Sequence, residues 1–249
     1  TLHLWAEGTV AADSRGRTEY FALPDPNLFA ARAFRRVLAE AGISVLGSTR
    51  STTDSLRFRT VRSGIPLAET RSRPLHDWIF PILNTSQNLY AETLLKQLGR
   101  QFGAGGSWSE GIAVERRFLI DSAGIDSTLF ALSDGSGLSA ANLVAPAAFT
   151  SLLRVVRKHP HYAANFEAGL PLAGNTGSLK NRFMGTPLER RVRAKGGSIS
   201  RVNTLSGYLE MPDGRTFTFS IQANHHAQSG RQMIAQIDSV VVAMAKGLM

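Results

Sequence analysis

The C-terminal part of the chain alternates apolar and polar residues with a period of two. Three such stretches, at 192–200, 202–211 and 216–223, predict β-strands. Pro212-Asp213-Gly214 separates the last two stretches, and this sequence is typical of a hairpin turn. Apolar residues then recur every three to four positions at about 229–246, which predicts an amphipathic helix.

The middle of the chain has helical periodicity instead. Its apolar positions predict four helices, at 75–83, 89–98, 113–123 and 146–157. Pro81 would interrupt the first helix, Gly99 and Gly124 would end the second and third, and Asn142 would cap the fourth. Nearer the N-terminus, the pattern predicts a hairpin within 1–22 and a helix at 27–41. Helices followed by strands and a last helix on the sheet indicate a layered α/β or α+β domain.

Composition narrows the chemistry that is open to the chain. Its 249 residues are 43% hydrophobic, enough for a sizeable core, and include no cysteine. Disulfides, thiolate metal sites and cysteine nucleophiles are therefore excluded. The histidines lack the H-E-x-x-H spacing of a zinc site, and no apolar run is long enough to span a membrane. We therefore expect no metal, no cofactor and no transmembrane segment in this chain.

The net charge of +9 would favour anionic partners. The arginines are scattered, however, and no block of five or six like charges occurs. The aromatic and basic motif of a nucleic-acid-binding module is also missing. A generally basic surface is the better interpretation, and we expect no nucleic-acid partner.

Two short stretches contain residues suited to catalysis. Ser86-Gln87-Asn88 begins a predicted helix, and Lys195-Gly196-Gly197-Ser198 lies in a predicted strand. Each has an ordinary structural explanation when it is taken alone. Ser86 could cap its helix by accepting a backbone hydrogen bond, and Lys195 could be a solvated lysine on a strand.

Other motifs surround these two stretches in a fixed order: Pro24-Asp25-Pro26, Ser72-Arg73-Pro74-Leu75, Leu89-Tyr90-Ala91-Glu92, Asp134-Gly135-Ser136-Gly137-Leu138-Ser139, Gly177-Ser178-Leu179, Arg182-Phe183, Gly185-Thr186-Pro187 and Leu205-Ser206-Gly207-Tyr208. Together they resemble the low-molecular-mass, class C type penicillin-binding proteins of the D-alanyl-D-alanine carboxypeptidase and endopeptidase family. The resemblance implies a penicillin-binding, serine β-lactamase-like domain with an antiparallel sheet flanked by helices. It also implies that 1–70 is the end of an inserted accessory domain and that 71–249 is the C-terminal part of the catalytic domain.

The family has three catalytic elements, Ser-x-x-Lys, Ser-x-Asn and Lys-Thr-Gly. Ser86 and Asn88 match the second element. Lys195-Gly196-Gly197 matches the third, with glycine at 196 where threonine is usual. No lysine of this chain has a serine three positions before it, so the first element is absent. We expect it to lie upstream, in a segment that this chain lacks.

The resemblance assigns catalytic roles to Ser86, Asn88 and Lys195. A hydroxyl both donates and accepts hydrogen bonds, so Ser86 would relay a proton towards the leaving D-alanine. Asn88 would hold the acyl amide of the substrate. Lys195 would place positive charge near Ser86 and near the terminal carboxylate of the substrate.

The same resemblance assigns substrate binding to Gly196, Gly197 and Ser198. The two glycines would let the substrate backbone come close to the strand edge. The backbone N–H of Ser198 would be one oxyanion donor. Gly196 lacks the hydroxyl that usually helps to bind the carboxylate, and the side chain of Ser198 could compensate for it.

The function that these residues imply is a serine-type D-Ala-D-Ala carboxypeptidase or endopeptidase, which acts on peptidoglycan through an acyl-enzyme in the periplasm or cell envelope. Its partner would be a stem peptide ending in D-Ala-D-Ala, and β-lactams would inhibit it if the upstream nucleophile segment is present. Three alternatives stay open: a non-catalytic module that binds peptidoglycan or a partner, a β-lactamase-like hydrolase and, with least support, a basic nucleic-acid-binding protein. An intact fold that starts naturally near Thr1 would favour the non-catalytic module.

Overall fold

A computed structural model describes residues 5, 7–14, 16, 18, 21–54, 56–57, 65 and 68–248. The chain divides into two compact units, Thr1–Thr70 and Arg71–Met249. All the predicted site residues belong to the second unit. The origin of the first unit as the end of an inserted domain stays a prediction.

The first unit contains helix α1, Pro26–Glu40. The side chain of Asp25 caps it by accepting a hydrogen bond from the N–H of Leu28 at 2.8 Å. The helix predicted at 27–41 is therefore confirmed. Within 1–22, the described residues form no strand, and the rest of the predicted hairpin lies outside the described residues.

The first part of the second unit is mostly helical. Its elements are α2 (Leu75–Leu83), α3 (Asn88–Phe102), α4 (Trp108–Arg117), strands β1 (Phe130–Ala131) and β2 (Leu143–Val144), α5 (Pro146–Lys158) and α6 (Ala163–Gly169). Helix α2 runs through Pro81, so the interruption predicted there is wrong. Helix α4 begins earlier than predicted because Ser107 Oγ accepts a hydrogen bond from the N–H of Glu110 and caps it. A π-helical turn, Phe118–Ser122, continues it towards Gly124.

Gly99 does not end helix α3, contrary to the sequence-based prediction. A Cβ at Gly99 would lie 2.6 Å from the backbone nitrogen of Gly111 in α4. A Cβ at Gly111 would in turn clash with the backbone carbonyl of Leu95. The two glycines are therefore needed where the helices cross closely, and Gly99 is not a helix terminator.

The second part of this unit is a three-stranded antiparallel sheet in the order β3-β4-β5. The strands are β3 (Val192–Ile199), β4 (Val202–Glu210) and β5 (Thr216–Asn224), and helix α7 (Gly230–Leu248) follows them. Gly214, with φ of +85°, donates its N–H to the carbonyl of Met211 at 3.0 Å in the predicted hairpin turn. The three strands, the turn and the last helix confirm the predictions made from periodicity.

The sheet has helices on both faces. Helix α7 covers one face, where the buried core includes Val192, Ala194, Leu205, Leu209, Ile237 and Val241. On the opposite face the hydroxyl of Tyr208 donates to the carbonyl of Leu153 in α5 at 2.7 Å. Because side chains alternate along a strand, Gly196 and Ser198 share the α7 face with Val192, whereas Lys195 points to the other face.

Strand β3 lies at one end of the sheet and its outer edge is only partly covered. Ala173 N–H donates to Val192 O at 2.9 Å, and Ala194 N–H donates to Pro171 O at 3.1 Å. No described residue continues this pairing beyond Ala194. Backbone groups alternate between the two edges of a strand, so the N–H and C=O of Gly196 and Ser198 point towards the open edge.

Because α3 and α4 cross closely, a methyl group added at Gly111 should lower the stability of the protein. Gly111→Ala should lower the free energy of unfolding by about 2 kcal/mol, because the backbones of the two helices must separate to admit a Cβ. Thermal melts of the purified protein measure this. Gly105→Ala is the matched control, since a Cβ at Gly105 would have nothing within 4 Å. Equal melting temperatures for the two variants would contradict the packing described.

Candidate active site

Ser86 and Lys195 meet although 109 positions separate them in the chain. Lys195 Nζ donates a hydrogen bond to Ser86 Oγ at 2.9 Å. An ammonium group has no acceptor, so Ser86 is the acceptor and its own hydroxyl proton stays available to another group. The structure therefore brings together one residue from each of the two stretches singled out in the sequence.

Ser86 occupies a turn between α2 and α3 and does not cap a helix. The N-cap of α3 is Gln87, without a side-chain hydrogen bond. Thr85 Oγ1 and Gln87 N–H both donate to the carbonyl of Pro81, at 2.8 and 3.1 Å, and so fix the exit from α2. Ser86 has φ of 59°, a left-handed conformation that costs a non-glycine residue about 1–3 kcal/mol. Strained backbone of this kind is concentrated at functional sites.

Lys195 is half-buried and holds its ammonium group in place with two hydrogen bonds. Besides Ser86, it donates to the carbonyl of Gly196 at 2.6 Å. Burial lowers the pKa of Lys195 below its ordinary value of 10.5. A lysine with a lowered pKa gives up a proton more readily, as proton exchange with a neighbouring hydroxyl requires.

Asn88 is the first residue of α3, two positions after Ser86. Its side chain has no hydrogen-bond partner among the described residues, so both its amide oxygen and its amide nitrogen are available. Ser198 lies three positions beyond Lys195, and its side chain accepts a hydrogen bond from Asn203 Nδ2 at 2.8 Å. The catalytic and binding roles of these residues stay predictions.

The buried side chain of Asn203 contacts Ser198 on one side and His226 on the other. Its Oδ1 lies 2.9 Å from His226 Nε2, and His226 Nδ1 lies 3.0 Å from the carbonyl of Gln228. Because Ser198 Oγ accepts from Asn203, its hydroxyl proton is available to another acceptor. No pattern in the sequence singled out Asn203 or His226, which are linked to the site only through Ser198.

The two glycines of the third motif differ in their surroundings. A Cβ at Gly197 would lie 2.7 Å from Thr204 Oγ1 on the neighbouring strand, so the Thr204 side chain would have to shift to admit it. A Cβ at Gly196 would meet only ordinary contacts, the nearest being Arg182 Nη1 and the carbonyl of Thr204, both at 3.5 Å. A side chain at 197 therefore requires a neighbour to move, whereas one at 196 does not.

Glu92 fastens the glycine-rich loop at 134–137 to the helix that follows Ser86. Its carboxylate accepts hydrogen bonds from the N–H groups of Gly135 and Ser136, at 3.2 and 2.9 Å, and from Trp108 Nε1 at 2.7 Å. Burial raises the pKa of Glu92, but the hydrogen bonds from Ser136, Trp108 and Gly135 outweigh it, and the pKa lies below the ordinary 4.5. The loop thus fixes the position of α3.

The same loop is closed by its own side chains. Asp134 accepts from the N–H groups of Gly137 and Ser139, at 2.7 and 2.6 Å, and from Asn142 Nδ2 at 2.9 Å. Asn142 was expected to cap a helix. It does not: its side chain turns back to the loop, and Ala145 precedes α5 without a side-chain hydrogen bond.

Glu115 in α4 was missed in the sequence. Burial, and secondly the negative charge of Asp134, raise the pKa of Glu115 from the ordinary 4.5 to about 7. No sequence motif pointed to Glu115, because its raised pKa depends on burial in the fold and on Asp134 in a distant loop.

Neither a metal site nor a membrane span is found in the part of the chain that the structure describes. No three histidine, cysteine, aspartate or glutamate side chains are grouped there as metal ligands. None of the described helices is long and apolar enough to cross a bilayer.

An antiparallel sheet between helices, with a serine–lysine contact beside its open edge strand, defines the penicillin-binding and serine β-lactamase-like fold class. Penicillin-binding protein 4 from Haemophilus influenzae, solved in complex with a β-lactam, superimposes with a TM-score of 0.76 over 90% of this chain and 52% of its own, at 26% identity. A class A β-lactamase from Bacteroides cellulosilyticus shares the fold at a TM-score of 0.54 and 17% identity, over 88% of this chain and 82% of its own.

The chain belongs to the D-Ala-D-Ala carboxypeptidase 3 (S13) family, whose sequence model matches residues 2–244. It is 32% identical to a D-alanyl-D-alanine carboxypeptidase of Actinomadura sp. (strain R39), over 96% of this chain and 44% of that protein. It is 28% identical to a penicillin-sensitive carboxypeptidase A of Dictyostelium discoideum, over 94% of this chain and 45% of that protein. The chain therefore spans somewhat less than half the length of these two relatives. The family and fold inferred from the ordered motifs are confirmed.

The raised pKa of Glu115 predicts a pH-dependent stability. A carboxyl group that keeps its proton in the folded state costs stability once it ionises, so stability should fall as pH rises from about 4.5 through 7. Glu115→Gln should remove this loss and raise the melting temperature at pH 8 by about 5 °C relative to the unsubstituted protein, with little change at pH 5. Asp121→Asn, at an exposed carboxylate of the next turn, is the control. A pH slope unchanged by Glu115→Gln would contradict the assignment.

Proposed function

We propose that this chain forms part of a serine-type D-Ala-D-Ala carboxypeptidase or endopeptidase that cleaves peptidoglycan stem peptides through an acyl-enzyme. The observation that carries the proposal is the hydrogen bond between Lys195 and Ser86 beside the open edge of β3. The nucleophilic serine and its lysine would come from a part of the protein outside these 249 residues. The proposal places the protein in the periplasm or cell envelope and makes β-lactams its inhibitors.

Acylation needs a proton route as well as a nucleophile. The nucleophilic serine oxygen attacks the carbonyl carbon of the penultimate D-alanine, and its proton passes to the lysine of the Ser-x-x-Lys motif. When the C–N bond breaks, the leaving amine takes a proton through Ser86. The Ser86 hydroxyl suits this step because its oxygen already accepts from Lys195 and its proton is free to be donated.

The open edge of β3 suits an extended peptide. The outward backbone groups of Gly196 and Ser198 can pair with a substrate lying antiparallel to the strand. The N–H of Ser198 would donate a hydrogen bond to the developing oxyanion. The side-chain amide of Asn88 would form hydrogen bonds with the acyl amide of the substrate. Water then hydrolyses the ester and restores the serine.

Penicillin labelling tests whether the nucleophile lies elsewhere in the protein. The 249-residue chain alone should form no covalent adduct with a fluorescent penicillin, because it holds no Ser-x-x-Lys sequence. The full-length protein should label in a one-to-one ratio, as intact mass and gel fluorescence would show. Stoichiometric labelling of the 249-residue chain would mean that the nucleophile has been misplaced. Absence of labelling in the full-length protein would favour a non-catalytic binding module.

The Lys195 contact predicts a large loss of turnover. In the full-length protein, Lys195→Ala should slow the release of D-alanine from a D-Ala-D-Ala peptide by about a hundredfold to a thousandfold, because Ser86 and the substrate carboxylate lose their positive partner. Gly196→Thr should change it little or raise it slightly, by less than about tenfold, since a neutral hydrogen bond contributes only about 1 kcal/mol. Steady-state release of D-alanine measures both effects.

Lys180→Ala removes the same charge from an exposed position and is the matched control for Lys195→Ala. Each variant is checked for folding by a thermal melt before its activity is compared. Near-normal turnover by a folded Lys195→Ala protein would show that Lys195 is a solvated strand lysine without a catalytic role.

A further inference from the structure

Arg182 is the charged side chain nearest to the position that Gly196 leaves empty. It precedes Phe183 in the segment between α6 and the sheet, and its guanidinium group is largely buried, with 14% of the side chain exposed. Its Nε lies 3.1 Å from both carboxylate oxygens of Asp238 in α7, and its Nη2 lies 2.5 Å from Asp238 Oδ1. Three contacts to one carboxylate fix the plane of the guanidinium group.

The remaining nitrogen, Nη1, is left free by this arrangement. It donates to no described residue, and no described side-chain nitrogen or oxygen is both buried and without a partner. Nη1 of Arg182 therefore keeps contact with solvent. A guanidinium group can serve two anions at once because its donors point in different directions, so the pairing with Asp238 does not exhaust it.

Nη1 and the carbonyl oxygen of Thr204 are the two atoms nearest to where a side chain at position 196 would begin. Nη1 lies 3.5 Å from the Cβ that any residue other than glycine would carry there. The hydroxyl of a threonine at 196, one bond beyond that Cβ, would occupy the space between Nη1 and the strand. Position 196 carries no side chain in this chain, and the adjacent backbone of Gly196 and Ser198 faces the open edge of β3.

We infer that Arg182, through Nη1, binds the terminal carboxylate of the substrate in the place where a threonine hydroxyl at 196 would act. Gly196 is then a specificity determinant, because it removes the side chain that would stand between the guanidinium and the carboxylate. Asp238 acts as a positioning residue that aims Nη1 at the strand. The inference rests on the proposed function, since it names the group that recognises the end of the same substrate.

A purely structural role for the ion pair makes a different prediction. If Arg182 only ties its segment to α7, substitutions should change stability and lower turnover of all substrates alike. A carboxylate-binding role instead changes the preference for a free carboxylate over an amide. The ratio of kcat/KM for the two substrate forms separates these possibilities, because a general loss of folded enzyme cancels from it.

The test uses the full-length protein with a diacylated Lys-D-Ala-D-Ala peptide and with the same peptide carrying a C-terminal amide. Release of D-alanine and of D-alaninamide is measured at several substrate concentrations. The test variant combines Arg182→Gln with Asp238→Asn, so that no buried carboxylate is left unpaired. Lys180→Gln is the matched control, because it removes an exposed charge two residues away. Asp238→Asn alone tests the positioning role of Asp238.

The double variant should lose about tenfold to a hundredfold of the preference for the free carboxylate, the range expected when a hydrogen bond between charged groups is lost. The loss should lie mainly in KM. Lys180→Gln keeps both members of the ion pair and should keep the preference. Asp238→Asn alone should lose part of it, because Nη1 is then less firmly aimed at the strand. Adding Gly196→Thr to the double variant should restore part of it, because the hydroxyl then has a clear approach to the carboxylate.

Two results would overturn the inference while the proposed function stands: an unsubstituted enzyme that cleaves both substrate forms equally well, or a folded double variant with an unchanged ratio. An unsubstituted enzyme that releases neither D-alanine nor D-alaninamide and does not react with penicillin would instead overturn the proposed function, and the inference with it.

Discussion

The hydrogen bond from Lys195 to Ser86 is the contact on which the candidate site depends. It joins the turn between two helices to the end strand of the sheet, and the rest of the second unit holds these two parts in register. On one side, the carbonyl of Pro81 fixes the turn around Ser86. On the other, residues 171–173 pair with β3 only as far as Ala194, which leaves the next positions open to a ligand. An edge strand of this kind normally has to be protected from other chains, and under the proposed function a peptide substrate would use the same backbone groups.

The strands, the hairpin turn and most of the helices could be predicted because their periodicity is local. The predictions that failed concern glycine, proline and asparagine, whose roles depend on distant neighbours. Gly99 has the sequence context of a helix end, yet it lies inside α3 because Gly111 of another helix crosses beside it. Asn142 has the sequence context of a cap, but Asp134 and the loop backbone supply better partners. No local pattern contains that information.

The contact between Ser86 and Lys195 was predictable for a different reason. Periodicity alone would have left Ser86 as a possible cap and Lys195 as a possible surface lysine, and only the ordered motifs around them pointed to a shared site. The geometry removes the first of these explanations, since Gln87 occupies the N-cap position. The motifs could not predict which side chains pack against β3. The contact between Arg182 and Asp238 can be identified only when the packing of α7 against β3 is known, and the same is true of the contacts from Ser198 to Asn203 and His226.

The central claim is that Ser86, Lys195 and the open edge of β3 form one side of an acyl-enzyme site. A crystal structure of the full-length protein after reaction with a penicillin tests it most directly. The account predicts an acyl group on the nucleophilic serine, with its carbonyl oxygen about 3 Å from the N–H of Ser198 and its amide about 3 Å from the Asn88 side chain. An acyl group bound away from the contact between Ser86 and Lys195 would contradict it.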